Sequence, residues 1–135
     1  MRIAVYGGSF SPPHVGHAMV ASWVRWTGQA DQVWLLPVFR HAFEGIHSKT
    51  LAPFDERLRW CEALATDLGD GVAVCDVERD LPSPSFTITT LLHLRAAYPQ
   101  HDFRLLVGAD VLPQVPQWRD WSRIEAEFSP IVVGR

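Results

Sequence analysis

The chain has 135 residues, 47% of them hydrophobic and 20% charged, with a formal net charge of −3. That composition is ordinary for a soluble globular protein, and the length predicts one domain over residues 1–135, burying roughly two-thirds of its unfolded surface. The slight acidic excess argues against a nucleic-acid binder relying on a broad basic face, and the absence of a long apolar run argues against a signal peptide or membrane span, so the expected setting is cytoplasmic.

Met1-Arg2 leads directly into an apolar strand-like segment ending at Tyr6. There follows Gly7-Gly8-Ser9-Phe10-Ser11-Pro12-Pro13-His14-Val15-Gly16-His17, a glycine turn that opens into a helix start. Backbone N–H groups left free by such a turn can converge on one ligand, and the helix dipole favours negative charge there. His14 and His17, three residues apart, share a helix face. The helix continues with Val15, Ala18, Met19, Ser22 and Trp26 as its expected apolar stripe.

A second strand is predicted over Val33 to Val38, followed by a loop carrying His41, His47 and Lys49, the one lysine of the chain. The next helix starts at Pro53, presents Phe54, Leu58, Cys61, Leu64 and Leu68, and ends at Gly69. A third strand is expected at Val72 to Val77. It is followed by Ser83-Pro84-Ser85-Phe86-Thr87-Ile88-Thr89-Thr90 and a helix bearing Ile88, Leu91, Leu92, Arg95 and Tyr98. The fourth strand, Phe103 to Val107, runs into Gly108-Ala109-Asp110 and then Trp118 and Trp121. A short helix near Asp120 to Glu127 precedes a last strand, Ile131 to Val133. Cys61 and Cys75 match no metal or redox spacing. Near-continuous apolar strands alternating with helices predict an α/β class: a Rossmann-like, doubly wound parallel sheet of about five strands, helices on both faces. Each motif then falls just beyond a strand, at the sheet edge where such folds bind ligands.

The run from Gly7 to His17 resembles the HxGH signature of the nucleotidylyltransferases, above all the nicotinate/nicotinamide mononucleotide adenylyltransferases. Ser11 stands where that family usually has Asp or Asn, a change a short polar side chain can absorb by bonding a local backbone N–H. The resemblance implies transfer of AMP from ATP to a pyridine mononucleotide, with His14, His17 and Lys49 catalytic. It implies ATP contacts from Gly7, Gly8, Ser9, Phe10, His14, His17, Gly108 and Asp110. It assigns the mononucleotide to Ser9, Lys49, Arg57, Phe86, Thr87, Thr90 and Trp118. Phe86 replaces a family Tyr or Trp, keeping the ring and losing a hydrogen-bonding handle, and Thr89 replaces an acidic residue. The acceptor phosphate is already an oxyanion, so no protein nucleophile or general base is required. Mg²⁺ would be carried on ATP rather than on protein ligands.

Family members also carry a late Ile-Ser-x-Thr-x-x-Arg phosphate-binding segment that does not occur here, so a C-terminally truncated chain is expected. A last strand with no following helix would favour a partner, such as a second copy. Two other readings stay open: a nucleotidylyltransferase with another phosphorylated acceptor, and a nucleotide-binding domain without transfer activity. A nicotinate ring would call for backbone N–H donors or a cation beside Thr87 and Trp118.

Overall fold

Runs of Val, Ile and Leu bounded by Gly, Pro and Asp form five strands, and the computed structural model describes them within residues 1–39 and 51–134. In chain order the elements are β1 (Arg2–Gly8), α1 (Val15–Trp26), β2 (Gln32–Pro37), α2 (Phe54–Leu68), β3 (Val72–Val74), α3 (Thr87–Ala97), β4 (Asp102–Gly108), α4 (Trp121–Phe128) and β5 (Ile131–Val133). Short 3₁₀ turns occupy Val77–Asp80, Ala109–Val111 and Val115–Gln117. The third strand is therefore shorter than its apolar run suggested, because after the Cys75 N–H bonds the Leu35 carbonyl the chain enters the first of these turns at Val77.

All pairings are parallel and the strand order is β3-β2-β1-β4-β5. The chain winds outward from β1 to β3, then returns to the other side of β1 with β4. The point of reversal lies between β1 and β4, where a parallel sheet opens a crevice at its carboxyl edge. Register sets the two faces by alternation. Ala4 and Tyr6 face one core with Val33 and Leu35, while Ile3 and Val5 face the other with Phe103, Leu105 and Val107. Helices α1 and α2 cover the first face, and α3 and α4 cover the second. Fully burying each Leu, Ile, Val or Phe contributes about 1.5–3 kcal/mol before entropy is charged against it.

Helix α1 sits rotated from the expected stripe. Val20, Ala21 and Val24 are its buried residues, whereas Val15, Met19 and Trp26 are exposed, Trp26 at 88%. The rotation is set by His17, whose ring packs on Phe10 (4.7 Å between centroids) and Tyr6 (5.8 Å). Positions one helical turn and two turns beyond His17 must then face the sheet. In α2 the buried line is Arg57, Cys61 and Ala65, with Leu64 and Leu68 packed at its margin, so a charged residue occupies the start of an otherwise apolar face. Gly69 ends α2 at φ +90°, where a side chain would be strained. On β5, Ile131 is buried while Val132 is 43% exposed.

Candidate active site

The crevice between β1 and β4 is a cleft of about 1030 Å³, at the upper end for small-molecule sites and large enough for two nucleotides. One wall comes from Gly7 to Phe10 and the start of α1; the other from Phe86, Thr87 and the segment around Trp118. Gly108 and Asp110 line its β4 end. The cleft thus brings together Gly7, Gly8, Ser9, Phe10, His14, His17, Phe86, Thr87, Gly108, Asp110 and Trp118. Lys49 falls outside the described residues, as do His41 and His47.

Both histidine rings are held by main-chain N–H groups of the helix start. His14 is the N-cap of α1 and its Nδ1 accepts from the backbone N–H of Gly16 at 3.0 Å, while His17 Nδ1 accepts from the backbone N–H of His14 at 3.0 Å. A ring nitrogen that accepts cannot carry the proton, so in each neutral ring the hydrogen sits on Nε2. The rings lie 4.0 Å apart between centroids. Two N–H donors are thereby fixed side by side at the positive end of a helix. That arrangement suits phosphate oxygens.

Phe10 holds this arrangement from below. Its backbone is left-handed (φ 48°), a conformation that costs a non-glycine residue about 1–2 kcal/mol. Its ring is 2% exposed and packs on Tyr6 as well as His17, which offsets the strain. Any contact from Phe10 to a nucleotide thus falls to its backbone. Ser11 Oγ accepts from the backbone N–H of Ala52 at 3.0 Å, so its polar bond ties to the start of α2 rather than to its own turn.

Two expected ligand residues are placed otherwise. Arg57 is 1% exposed, and its guanidinium donates to three main-chain carbonyls: Ala52 at 2.8 Å, Ser9 at 3.0 Å and Val38 at 2.6 Å. It cross-ties the glycine turn, the end of β2 and the entry to α2 from beneath the cleft. Burial draws its pKa down, against the pull of nearby Glu78. Thr90 is also 1% exposed, and its hydroxyl donates to Glu78 Oε2 at 3.0 Å. One helical turn past Phe86 points Thr90 into the core, so it supports the wall rather than forming it.

Glu78 was not foreseen. It lies in Val77-Glu78-Arg79-Asp80, which reads as a solvated charge run, yet it is 5% exposed and lines the cleft floor. Its carboxylate accepts from the backbone N–H of Phe39 at 3.1 Å, from Thr90 and from the Ser85 hydroxyl. Burial raises its pKa, and these hydrogen bonds and Arg57 oppose the rise. Arg119 was also missed. It lines the cleft with Cζ 3.7 Å over the centroid of the Phe86 ring. Trp121 packs edge-on against Trp118 (5.8 Å) and belongs to the core beneath it.

At the mouth of β4, a Cβ on Gly108 would come within 2.6 Å of Asp110 Oδ1, so the glycine makes room for that carboxylate. No cluster of three or more His, Cys, Asp or Glu side chains able to hold a metal occurs among the described residues, and none of their helices is long and apolar enough to cross a membrane.

The cytidylyltransferase-like family model matches residues 5–135. A "Probable nicotinate-nucleotide adenylyltransferase" of Anaeromyxobacter sp. (strain K) is 48% identical over 99% of this chain and 71% of its own length. The protein of the same name from Myxococcus xanthus is 36% identical over 98% of this chain and 67% of its own. Among solved structures, Plasmodium falciparum nicotinic acid mononucleotide adenylyltransferase complexed with NaAD superposes with a TM-score of 0.74 at 15% identity, covering 99% of this chain and 75% of that one.

Proposed function

This chain belongs to the cytidylyltransferase-like family, and we propose that it transfers the adenylyl group of ATP to nicotinic acid mononucleotide, yielding the dinucleotide and pyrophosphate in NAD biosynthesis. The observation that carries this reading is the pair of histidines at the start of α1, each ring held through Nδ1 and both lining the β1–β4 crevice. An oxygen of the mononucleotide phosphate attacks the α-phosphorus of ATP in line. The new P–O bond forms as the α–β P–O bond breaks, and pyrophosphate leaves with the electron pair. Charge accumulates on non-bridging oxygens, where His14 and His17 donate hydrogen bonds without reorganising. Gly7 and Gly8 let the backbone approach the phosphates, and Asp110 accepts from the ATP ribose hydroxyls. Trp118 offers its face to the positively charged pyridinium, with Thr87 beside it.

Lys49 is assigned to the transferring phosphates as a point charge, and Ser9 to both substrates. Among the described residues no cluster of side chains would hold Mg²⁺, which would be borne by ATP oxygens and water and would neutralise phosphate charge there. ATP supply and the free thiols of Cys61 and Cys75 favour a cytoplasmic location.

The test is pyrophosphate release by this chain with ATP, Mg²⁺ and either nicotinic acid mononucleotide or nicotinamide mononucleotide. Release dependent on the acid form is expected. ATP binding with no release from either acceptor would overturn the transferase reading and leave a nucleotide-binding domain.

A further inference from the structure

We propose that the outer face of α1 is the contact surface of a two-fold symmetric dimer of this chain, in which two α1 helices run antiparallel. The inference does not depend on the reading above, because the residues concerned do not line the cleft. Val15, Met19, Trp23 and Trp26 are 74%, 66%, 43% and 88% exposed, and they are the exposed residues of the helix. At about 100° per residue they fall within an arc of about 80°, on a strip about 16 Å long. No charged side chain shares that arc, and half-buried Ser22 at its margin is the one polar residue beside it. Arg25, the one arginine of the helix, is turned away: its guanidinium occupies the space that a side chain on Gly71 would fill. A surface helix ordinarily carries its charges on the side that α1 leaves apolar.

Area and shape both point to a second copy as the occupant. A tryptophan carries about 250 Å² and the other two side chains less, so the four expose about 550 Å² at these fractions. That is at the upper end of the apolar patches monomers leave in water, about 300–600 Å². Covering two such strips removes about 1,100 Å², and flanking residues bring this to the roughly 1,200 Å² at which specific interfaces begin. The strip is also complementary to itself. With the axis midway along it, Val15 meets the partner's Trp26 and Met19 meets the partner's Trp23, each pair occurring twice. Every indole then seats against a smaller or more flexible side chain, and a methionine sulfur suits an aromatic ring. Such a contact is closed, so assembly stops at two. A lipid surface is disfavoured, because no lysine or arginine flanks the strip and the chain carries a net charge of −3.

The experiment is sedimentation velocity over a dilution series of wild type, Val15→Glu, Trp26→Lys, Val132→Glu, and an equimolar mixture of Val15→Glu with Trp26→Lys. An acid in the first turn of α1 and a base in its last turn both suit the helix dipole, and both positions are exposed, so these variants should melt with the wild type. Wild type should sediment as a discrete dimer. Each α1 variant alone should weaken self-association by at least about 30-fold, the scale of one interfacial hot spot. Mixing the two should restore a dimer, because the introduced acid of one chain faces the introduced base of the other while the unaltered Val15–Trp26 pair completes the second half. Val132→Glu, on the exposed side of β5, should leave the dimer intact. Loss of the dimer in Val132→Glu with retention in Trp26→Lys would move the contact to β5 and overturn the inference. A mixture that stays monomeric would overturn the antiparallel pairing. A wild type that is monomeric throughout ends the proposal, and one that instead co-sediments with phosphatidylcholine vesicles would make the strip a lipid-binding face.

Discussion

Replacing Arg57 by methionine removes the guanidinium while keeping most of the side chain's length. Three main-chain carbonyls, those of Ser9, Val38 and Ala52, lose donors at 2.6–3.0 Å, and Glu78 loses the cation that opposes its burial. Hydrogen bonds from a charged donor are worth about 1.5–3 kcal/mol each, which would sum to more than half of a typical domain's stability. Two effects reduce that sum. Water entering the cleft can re-solvate some carbonyls, and the methionine recovers apolar contact. Breaking one side of a buried charged network costs about 3–5 kcal/mol, and that range is expected here. At roughly 4 °C per kcal/mol for a chain of this size, the thermal midpoint should fall by about 10–20 °C. Arg57→Lys keeps the charge but reaches one carbonyl, so it should recover less than half of the loss. Because Ser9 belongs to the glycine turn, the folded fraction of Arg57→Met should also turn over roughly 100-fold more slowly, the consequence of a small misplacement of a positioning element. Urea denaturation gives the first quantity, and pyrophosphate release below the melting range gives the second. A variant within about 1 kcal/mol of wild type, with unchanged turnover, would refute the cross-tie.

His17→Ala should cut turnover by about two decades or more, through loss of one preorganised donor, while circular dichroism stays native; near-wild-type turnover would remove His17 from the reaction. Gly108→Ala keeps an ordinary backbone (φ −75°) but pushes a Cβ into Asp110, so the KM for ATP should rise several-fold with kcat and melting temperature little changed. An unchanged KM would detach Asp110 from the ribose. The raised pKa of Glu78 means the native state keeps a proton that the unfolded chain has already released. Wild-type stability should therefore fall as pH rises from the ordinary glutamate range through the raised value, then level off. Glu78→Gln should lack that decline, and urea midpoints across a pH series that run parallel for the two proteins would contradict the assignment.

The sheet was legible because parallel strands buried on both faces are written as nearly unbroken apolar runs, and all five emerged in place. The Gly7–His17 run was legible for a different reason: save at Ser11 it matches the HxGH signature residue by residue, between a strand and a helix start. Helix α1 was misjudged in rotation because Val15, Met19 and Trp26 are as apolar as Val20 and Val24, and hydrophobicity alone could not choose between the two faces. The choice was made by the packing of His17 on Phe10 and Tyr6, a tertiary contact. Glu78 hid among charged neighbours, and only its depth distinguishes it. Arg57 looked like a ligand residue because an arginine near a phosphate site usually is one. Its true partners are carbonyls, which leave no mark in a sequence. Arg119 escaped because nothing in Trp118-Arg119-Asp120-Trp121 says which of the two charges turns toward Phe86.

That the hydrogen bonds of Arg57 among the described residues all go to main-chain carbonyls bears on how this architecture can change over time. Every amino acid carries a carbonyl, so positions 38 and 52 can exchange side chains freely and still complete the tie. The residues between β2 and α2 can drift in sequence while Val38 and Ala52 stay registered to the glycine turn. One arginine thereby separates what this stretch of chain is made of from where its two ends are fastened, and the second can persist through wholesale revision of the first.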